Sequence, residues 1–67
     1  MPGYYINTLP QANGDYEVHK AGCLFMPSGA MSHYLGEFTR CAEALEQARL
    51  FYRRANGCRH CSAECHR

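Results

Sequence analysis

The chain has 67 residues, a mass of 7.6 kDa and a formal net charge of +1. So small a charge gives no global field that would attract nucleic acid or an anionic membrane. No apolar run reaches the roughly 20 residues that a membrane span needs. The first ten residues (MPGYYINTLP) lack the basic start and apolar centre of a signal peptide. We therefore expect one small cytoplasmic domain over residues 1–67.

A domain of this size has a thin core and needs an additional source of stability. It buries only about 60% of the surface that its unfolded chain exposes, and such domains depend on disulfides, a metal or a partner subunit. Five of the hydrophobic residues are Cys and five are Tyr, and Trp is absent. In a reducing cytoplasm, clustered cysteines indicate metal ligands rather than disulfides. An odd number of cysteines also cannot pair completely, so we expect a metal.

The first third of the sequence carries strand and turn signals. Residues 4–6 (YYI) are strand formers, and residues 16–19 (YEVH) alternate apolar and polar side chains at the period of a strand. Between them lies the turn signature Asn13-Gly14-Asp15. The pattern predicts a β-hairpin. Residues 26–33 (MPSGAMSH) have no periodicity and predict a loop, the most mobile interior segment.

A short strand and one helix are predicted in the second half of the chain. Residues 34–38 (YLGEF) indicate a strand in which Gly36 marks either a bend or a close approach of the backbone. Thr39 is a candidate N-cap and Asn56-Gly57 a candidate helix stop. Apolar residues recur between them at helical spacing, at Cys41, Ala44, Leu45, Ala48, Phe51, Tyr52 and Ala55. We predict a small α+β fold with a two- or three-stranded antiparallel sheet and one α-helix.

Two cysteine-containing motifs suggest a metal site. Cys58 and Cys61 form a C-x2-C pair, whose spacing lets both sulfurs point at one ion. His19 and Cys23 form an H-x3-C pair upstream and can supply two further ligands. Four such ligands make a Cys3His shell, which is common for structural zinc. We predict that His19, Cys23, Cys58 and Cys61 bind Zn²⁺.

The end of the chain leaves alternatives open. A rival shell replaces His19 by Cys65 or His66; His19 would then be a strand-end histidine paired with a backbone carbonyl. Cys41 lies on the apolar stripe of the predicted helix and is expected to act as a small hydrophobe. If the chain meets an oxidant, a Cys41–Cys65 disulfide would tie the end of the chain to the helix.

The order of these motifs resembles the zinc domain of the Ada DNA-repair protein. That domain has a first ligand pair, a strand with aromatics, an Ala-rich helix segment and a closing C-x2-C. This sequence has His19 with Cys23, then YLGEF over residues 34–38, then Glu43-Ala44, then the C-x2-C pair. The resemblance implies a zinc site and contact with DNA. The first ligand is His19 where the Ada domain has Cys, so the methyl-acceptor activity is not carried over.

The chain as a whole is similar to short bacterial proteins of no assigned function. They share the patterns NGD-x-EVH-x3-C, YLG-x-F-x2-C and GC-x2-C-x3-CH, which this sequence matches nearly end to end. That similarity implies a bacterial origin and carries no biochemistry with it.

The function that these observations favour is a zinc-stabilised binding module that is not an enzyme. A second hypothesis is a nucleic-acid-binding module in which Arg53, Arg54 and Arg59 contact phosphates and Tyr34 or Tyr52 stacks on bases. A third is a thiol-based redox protein in which Cys65 is exposed and reactive. No catalytic triad or carboxylate pair can be assigned. The partner, a protein or a nucleic acid, and the oligomeric state stay open.

Overall fold

The computed structural model describes residues 1–26 and 29–66. Four strands form one mixed sheet beside a single α-helix, so the α+β prediction is confirmed and the sheet has more strands than expected. The elements are β1 (Gly3–Asn7), β2 (Tyr16–Lys20), β3 (Ser32–Glu37), α1 (Cys41–Arg49) and β4 (Ala55–Gly57), with 3-10 turns at Gly29–Met31 and Ala63–Cys65. The strand order is β3-β1-β2-β4. β1 is antiparallel to β2 and β3, whereas β4 is parallel to β2.

The predicted hairpin is confirmed as the β1–β2 pair. Gly14 adopts a positive φ of 92°, a conformation that glycine reaches without steric cost. The side chain of Asn13 accepts a hydrogen bond of 2.9 Å from the backbone N–H of Asp15, a local interaction that favours turns. The resulting register places Tyr5 opposite His19 and Ile6 opposite Val18.

The core lies between the helix and one face of the sheet. Alternate side chains of a strand point to opposite faces, and in β1 the buried positions are Tyr4 and Ile6. The cluster of fully or nearly buried side chains comprises Tyr4, Ile6, Val18, Cys41, Ala44, Leu45, Ala48, Ala55 and Cys65. Three of its members are alanines, so this core is as thin as the composition suggested.

The helix begins one residue later than predicted. Its N-cap is Arg40 rather than Thr39. The carboxylate of Glu43 accepts hydrogen bonds from the backbone N–H of Thr39 at 3.1 Å and of Arg40 at 3.3 Å. The acceptor at this terminus is therefore a side chain from inside the helix, which satisfies N–H groups that the helix leaves unpaired.

The helix also ends earlier than predicted. It stops at Arg49, with Leu50 as C-cap, and Phe51 is 71% exposed rather than part of the buried stripe.

In the described part of the chain, no helix is long and apolar enough to cross a membrane.

The predicted helix stop at Asn56-Gly57 is wrong, because these residues belong to β4. They pair with Glu17 and Val18 of β2, and Gly57 lacks the positive φ of a left-handed cap. Gly57 is needed for close packing instead. A Cβ atom built on it would lie 2.7 Å from the carbonyl oxygen of Ser62 and would also collide with the sulfur of Cys65.

β3 confirms the strand predicted around residue 34, although Phe38 lies just beyond its end. Its pairing with β1 shifts register between Tyr4, which lies opposite Gly36, and Tyr5, which lies opposite Tyr34. Gly36 has a φ of +127°, and its position at this irregularity favours the bend over the close backbone approach. The loop predicted over residues 26–33 is interrupted by the 3-10 turn and by the start of β3 at Ser32. Residues 27 and 28 lie outside the described residues.

We expect Gly57→Ala to destabilise the protein by about 1–3 kcal/mol, the usual cost of forcing an extra group into a packed interior. Urea unfolding monitored by circular dichroism measures this change. Gly29→Ala is the matched control, because a Cβ atom on Gly29 meets nothing within 4 Å. Equal unfolding midpoints for the two variants would contradict this account of Gly57.

Candidate metal centre

The sheet is covered on both of its faces at β2. Val18 and His19 are adjacent in this strand, so their side chains point to opposite faces, yet both are completely buried. The helix covers the face of Val18. His19 lies on the other face, opposite Tyr5, and we refer to this as the outer face. Something other than the helix must therefore bury His19.

Two turns of the chain provide that cover. After β2, the backbone N–H of Cys23 bonds to the carbonyl of Lys20 at 3.1 Å, and Gly22 adopts a positive φ of 91°. After β4, the N–H of Cys58 bonds to the carbonyl of Val18 at 2.9 Å. The N–H of Ser62 then bonds to the carbonyl of Cys58 at 2.8 Å and closes the second turn.

The structure brings the four residues of the predicted shell together, and we refer to them as the His/Cys cluster: His19, Cys23, Cys58 and Cys61. One ligand atom from each residue lies within 4.8 Å of all the others. The sulfurs of Cys23 and Cys58 are 4.0 Å apart, and the Cys61 sulfur is 3.8 Å from Nδ1 of His19. Metal–sulfur bonds of about 2.3 Å in a tetrahedron place ligand atoms about 3.8 Å apart. The cluster can therefore hold a tetrahedral metal ion.

Backbone N–H groups point at two of the sulfurs. Lys20 N–H donates to the Cys61 sulfur at 3.2 Å, and His60 N–H donates to the Cys58 sulfur at 3.4 Å. The hydroxyl oxygen of Ser62 lies 3.7 Å from the Cys61 sulfur. Donors in these positions can form charge-assisted hydrogen bonds to metal-bound sulfurs.

His19 is suited to act as a neutral ligand. Burial lowers its pKa, because desolvation penalises the charged imidazolium, while the carboxylate of Glu17 acts in the opposite direction. Metal coordination requires the neutral imidazole. Nδ1 faces the cluster, whereas Nε2 is buried without a hydrogen-bond partner in the described part of the chain.

The rival ligands at the end of the chain are engaged elsewhere. Cys65 forms a disulfide with Cys41, with the two Cα atoms 6.3 Å apart. The ring of His66 donates from Nδ1 to the carbonyl oxygen of Gly57 at 2.9 Å. The structure thus assigns the five cysteines to two groups: one disulfide pair, and the three free thiols of the His/Cys cluster.

This pairing bears on two of the sequence-based hypotheses. The Cys41–Cys65 link that the sequence left open is present. The exposed, reactive Cys65 of the redox hypothesis is wrong, because Cys65 is buried against the helix and bonded to Cys41.

The arginines proposed to contact nucleic acid line two different clefts. Arg53 and Arg54 line one of about 230 Å³, where Arg54 forms an ion pair of 3.1 Å with Asp15. Arg59 lines a second cleft of about 590 Å³ beside the His/Cys cluster, together with His60. The three side chains therefore do not form one continuous site in this structure.

The two tyrosines considered as stacking platforms differ in accessibility. Tyr52 packs against Tyr16 with ring centroids 4.8 Å apart and contributes to the edge of the core. Tyr34 is 52% exposed and contacts Tyr5 at 5.1 Å. Of the two, Tyr34 is the more exposed side chain.

The sequence reasoning missed two residues beside the cluster. Glu17 approaches His19 with its carboxylate oxygen 3.6 Å from Nε2, and its position two residues earlier in the same strand was a readable signal. Phe25 stacks on His60 with ring centroids 4.1 Å apart and joins the two turns. No sequence pattern pointed to that contact.

Comparisons with protein-family models, curated proteins and solved structures found no match to this chain. The resemblances stated from the sequence therefore stay predictions.

The division of the cysteines predicts a thiol count. Protein purified without reductant, then denatured with a chelator present, should show three reactive thiols, rising to five after reduction. Alkylation followed by mass spectrometry measures both numbers, and peptide mapping should find Cys41 and Cys65 in the group released by reductant. Five thiols before reduction, or a different pair, would contradict the assignment.

Proposed function

We propose that this chain is a small binding module whose fold is held together by one structural zinc ion, bound by the His/Cys cluster. The observation that carries the proposal is the convergence of the four ligand atoms within 4.8 Å. They come from strand β2 and from two turns far apart in the sequence, Cys23 and Cys58 being 35 residues apart. An ion bound there would join the two turns across the outer face of the sheet.

The chemistry of the donors supports zinc. Three thiolates and one imidazole are soft to intermediate ligands, which suit zinc better than magnesium or calcium. The S–S and S–N separations of 4.0 and 3.8 Å agree with a tetrahedral shell. Zinc is commonly bound in this way at structural sites.

The closed shell supports a structural rather than a catalytic role. Catalytic zinc keeps one position for water or substrate, whereas structural zinc has four protein ligands. His19 and Cys58 are fully buried, whereas Cys23 and Cys61 are partly exposed. With all four residues bound to the ion, no position on it is left for a substrate. We therefore propose a binding module and not an enzyme.

Native mass spectrometry of wild-type protein should show one zinc ion per chain. Cys58→Ser should lose the ion and unfold, because structural zinc contributes about 10–16 kcal/mol of binding free energy, more than a domain of this size can lose. The double variant Cys41→Ala/Cys65→Ala removes two sulfurs outside the cluster and should still bind one ion. His66→Gln should also bind one ion.

These variants separate the proposed shell from its rivals. Loss of zinc in His66→Gln, or in the double variant while it stays folded, would transfer the ligand role to the end of the chain. A folded, metal-free Cys58→Ser protein with an unchanged amide spectrum would overturn the structural role.

Nucleic-acid binding stays a prediction, and fewer observations support it than support the metal site. The exposed Tyr34 favours it, while the division of the arginines between two clefts and the ion pair of Arg54 do not. A cytoplasmic location and a protein partner likewise stay predictions.

A further inference from the structure

The two nitrogens of the His19 ring have different surroundings. Nδ1 lies 3.8 Å from the Cys61 sulfur and faces the cluster. Nε2 is on the far side of the ring, buried and without a hydrogen-bond partner within residues 1–26 and 29–66. If Nδ1 binds a metal, the ring proton must be on Nε2, since a neutral imidazole carries only one. A buried donor of this kind is costly unless an acceptor satisfies it.

The carboxylate of Glu17 is placed to be that acceptor. Its Oε1 lies 3.6 Å from Nε2, and its side chain is only 17% exposed. Glu17 and His19 are alternate residues of β2 and share the outer face. Pairing with β4 holds this strand on one side, with Glu17 opposite Asn56. A hydrogen bond needs about 2.7–3.2 Å, so a side-chain movement of about half an ångström is enough.

We propose that Glu17 is a positioning residue of the metal centre, an inference that rests on the proposed zinc site. Its carboxylate accepts a hydrogen bond from the Nε2–H of His19, which fixes the ring with Nδ1 towards the zinc ion. The same bond raises the basicity of the ligating nitrogen, and loss of such an outer partner typically weakens metal binding about 10–100-fold. Glu17 touches no metal itself and acts only through His19.

The position of Glu17 also links the metal centre to the cleft that Arg59 lines. Glu17 lines the cleft of about 590 Å³ together with Arg59, His60 and Phe25. The carboxylate of Glu17 therefore lies between the buried imidazole of His19 and the solvent in this cleft.

The test compares the zinc affinities of three variants by competition with a chromophoric chelator. Glu17→Met keeps the length of the side chain and removes the acceptor, so its dissociation constant should rise about 10–100-fold. Glu17→Gln keeps a carbonyl oxygen that can accept from Nε2–H, so it should recover part of that loss. Glu37→Met, at an exposed strand position, is the matched control and should bind as tightly as wild type.

Nitrogen-15 NMR of the zinc-loaded protein supplies a readout that a general loss of stability would not move. In the wild type, the Nε2–H of His19 should be observed and protected from exchange with water. In Glu17→Met, its exchange should become faster and its proton signal should shift upfield, while the stoichiometry stays at one zinc ion.

The outcomes separate this proposal from the function on which it rests. Wild-type protein that binds no zinc would overturn both. Wild-type binding with an unchanged affinity in Glu17→Met would overturn only the role of Glu17. If Glu17→Met fails to fold even with zinc in excess, the wild-type spectrum decides, since a His19 ring protonated at Nδ1, or a freely exchanging Nε2–H, would also overturn it.

Discussion

The fold depends on burying both faces of a narrow sheet with very few large side chains. On one face, a nine-residue helix contributes Ala44, Leu45 and Ala48 to the core. On the other face, two turns bring three cysteine sulfurs beside the buried side chain of His19. A chain of this length has too little apolar surface for a second core. A metal ion bound by four side chains in this position would join the distant turns. The stability that it contributes would not depend on how much apolar surface the chain can bury.

The distribution of the cysteines follows from this arrangement. Cys41 and Cys65 connect the helix to the final turn on the core side of the sheet. The three other sulfurs gather on the outer face. Gly57 lies between the two groups. It precedes Cys58 of the His/Cys cluster in the chain, and its lack of a side chain leaves space for the sulfur of Cys65. The last strand is therefore held from both sides of the sheet.

The sequence predicted what depends on local spacing and failed where tertiary contacts decide. The hairpin, the strand around Gly36 and the grouping of H-x3-C with C-x2-C were all readable. The end of the helix was not, because Tyr52 and Ala55 continue the apolar periodicity although the chain has already turned. Ala55 is buried by pairing with β2, a contact between residues far apart in the chain. A three-residue parallel strand has no pattern of its own that could have revealed it.

The disulfide also changes the distances along the chain that metal binding must close. Along the backbone, His19 and Cys61 are 42 residues apart. Through the bond between Cys41 and Cys65, the path between the same two ligands shortens to about 26 residues. Since loop-closure entropy depends on the logarithm of loop length, the unfolded chain gathers its ligands at a free-energy cost lower by about 0.4 kcal/mol. That difference corresponds to roughly a factor of two in metal affinity. The oxidised chain is thus slightly preorganised for the ion, by a bond that lies outside the His/Cys cluster.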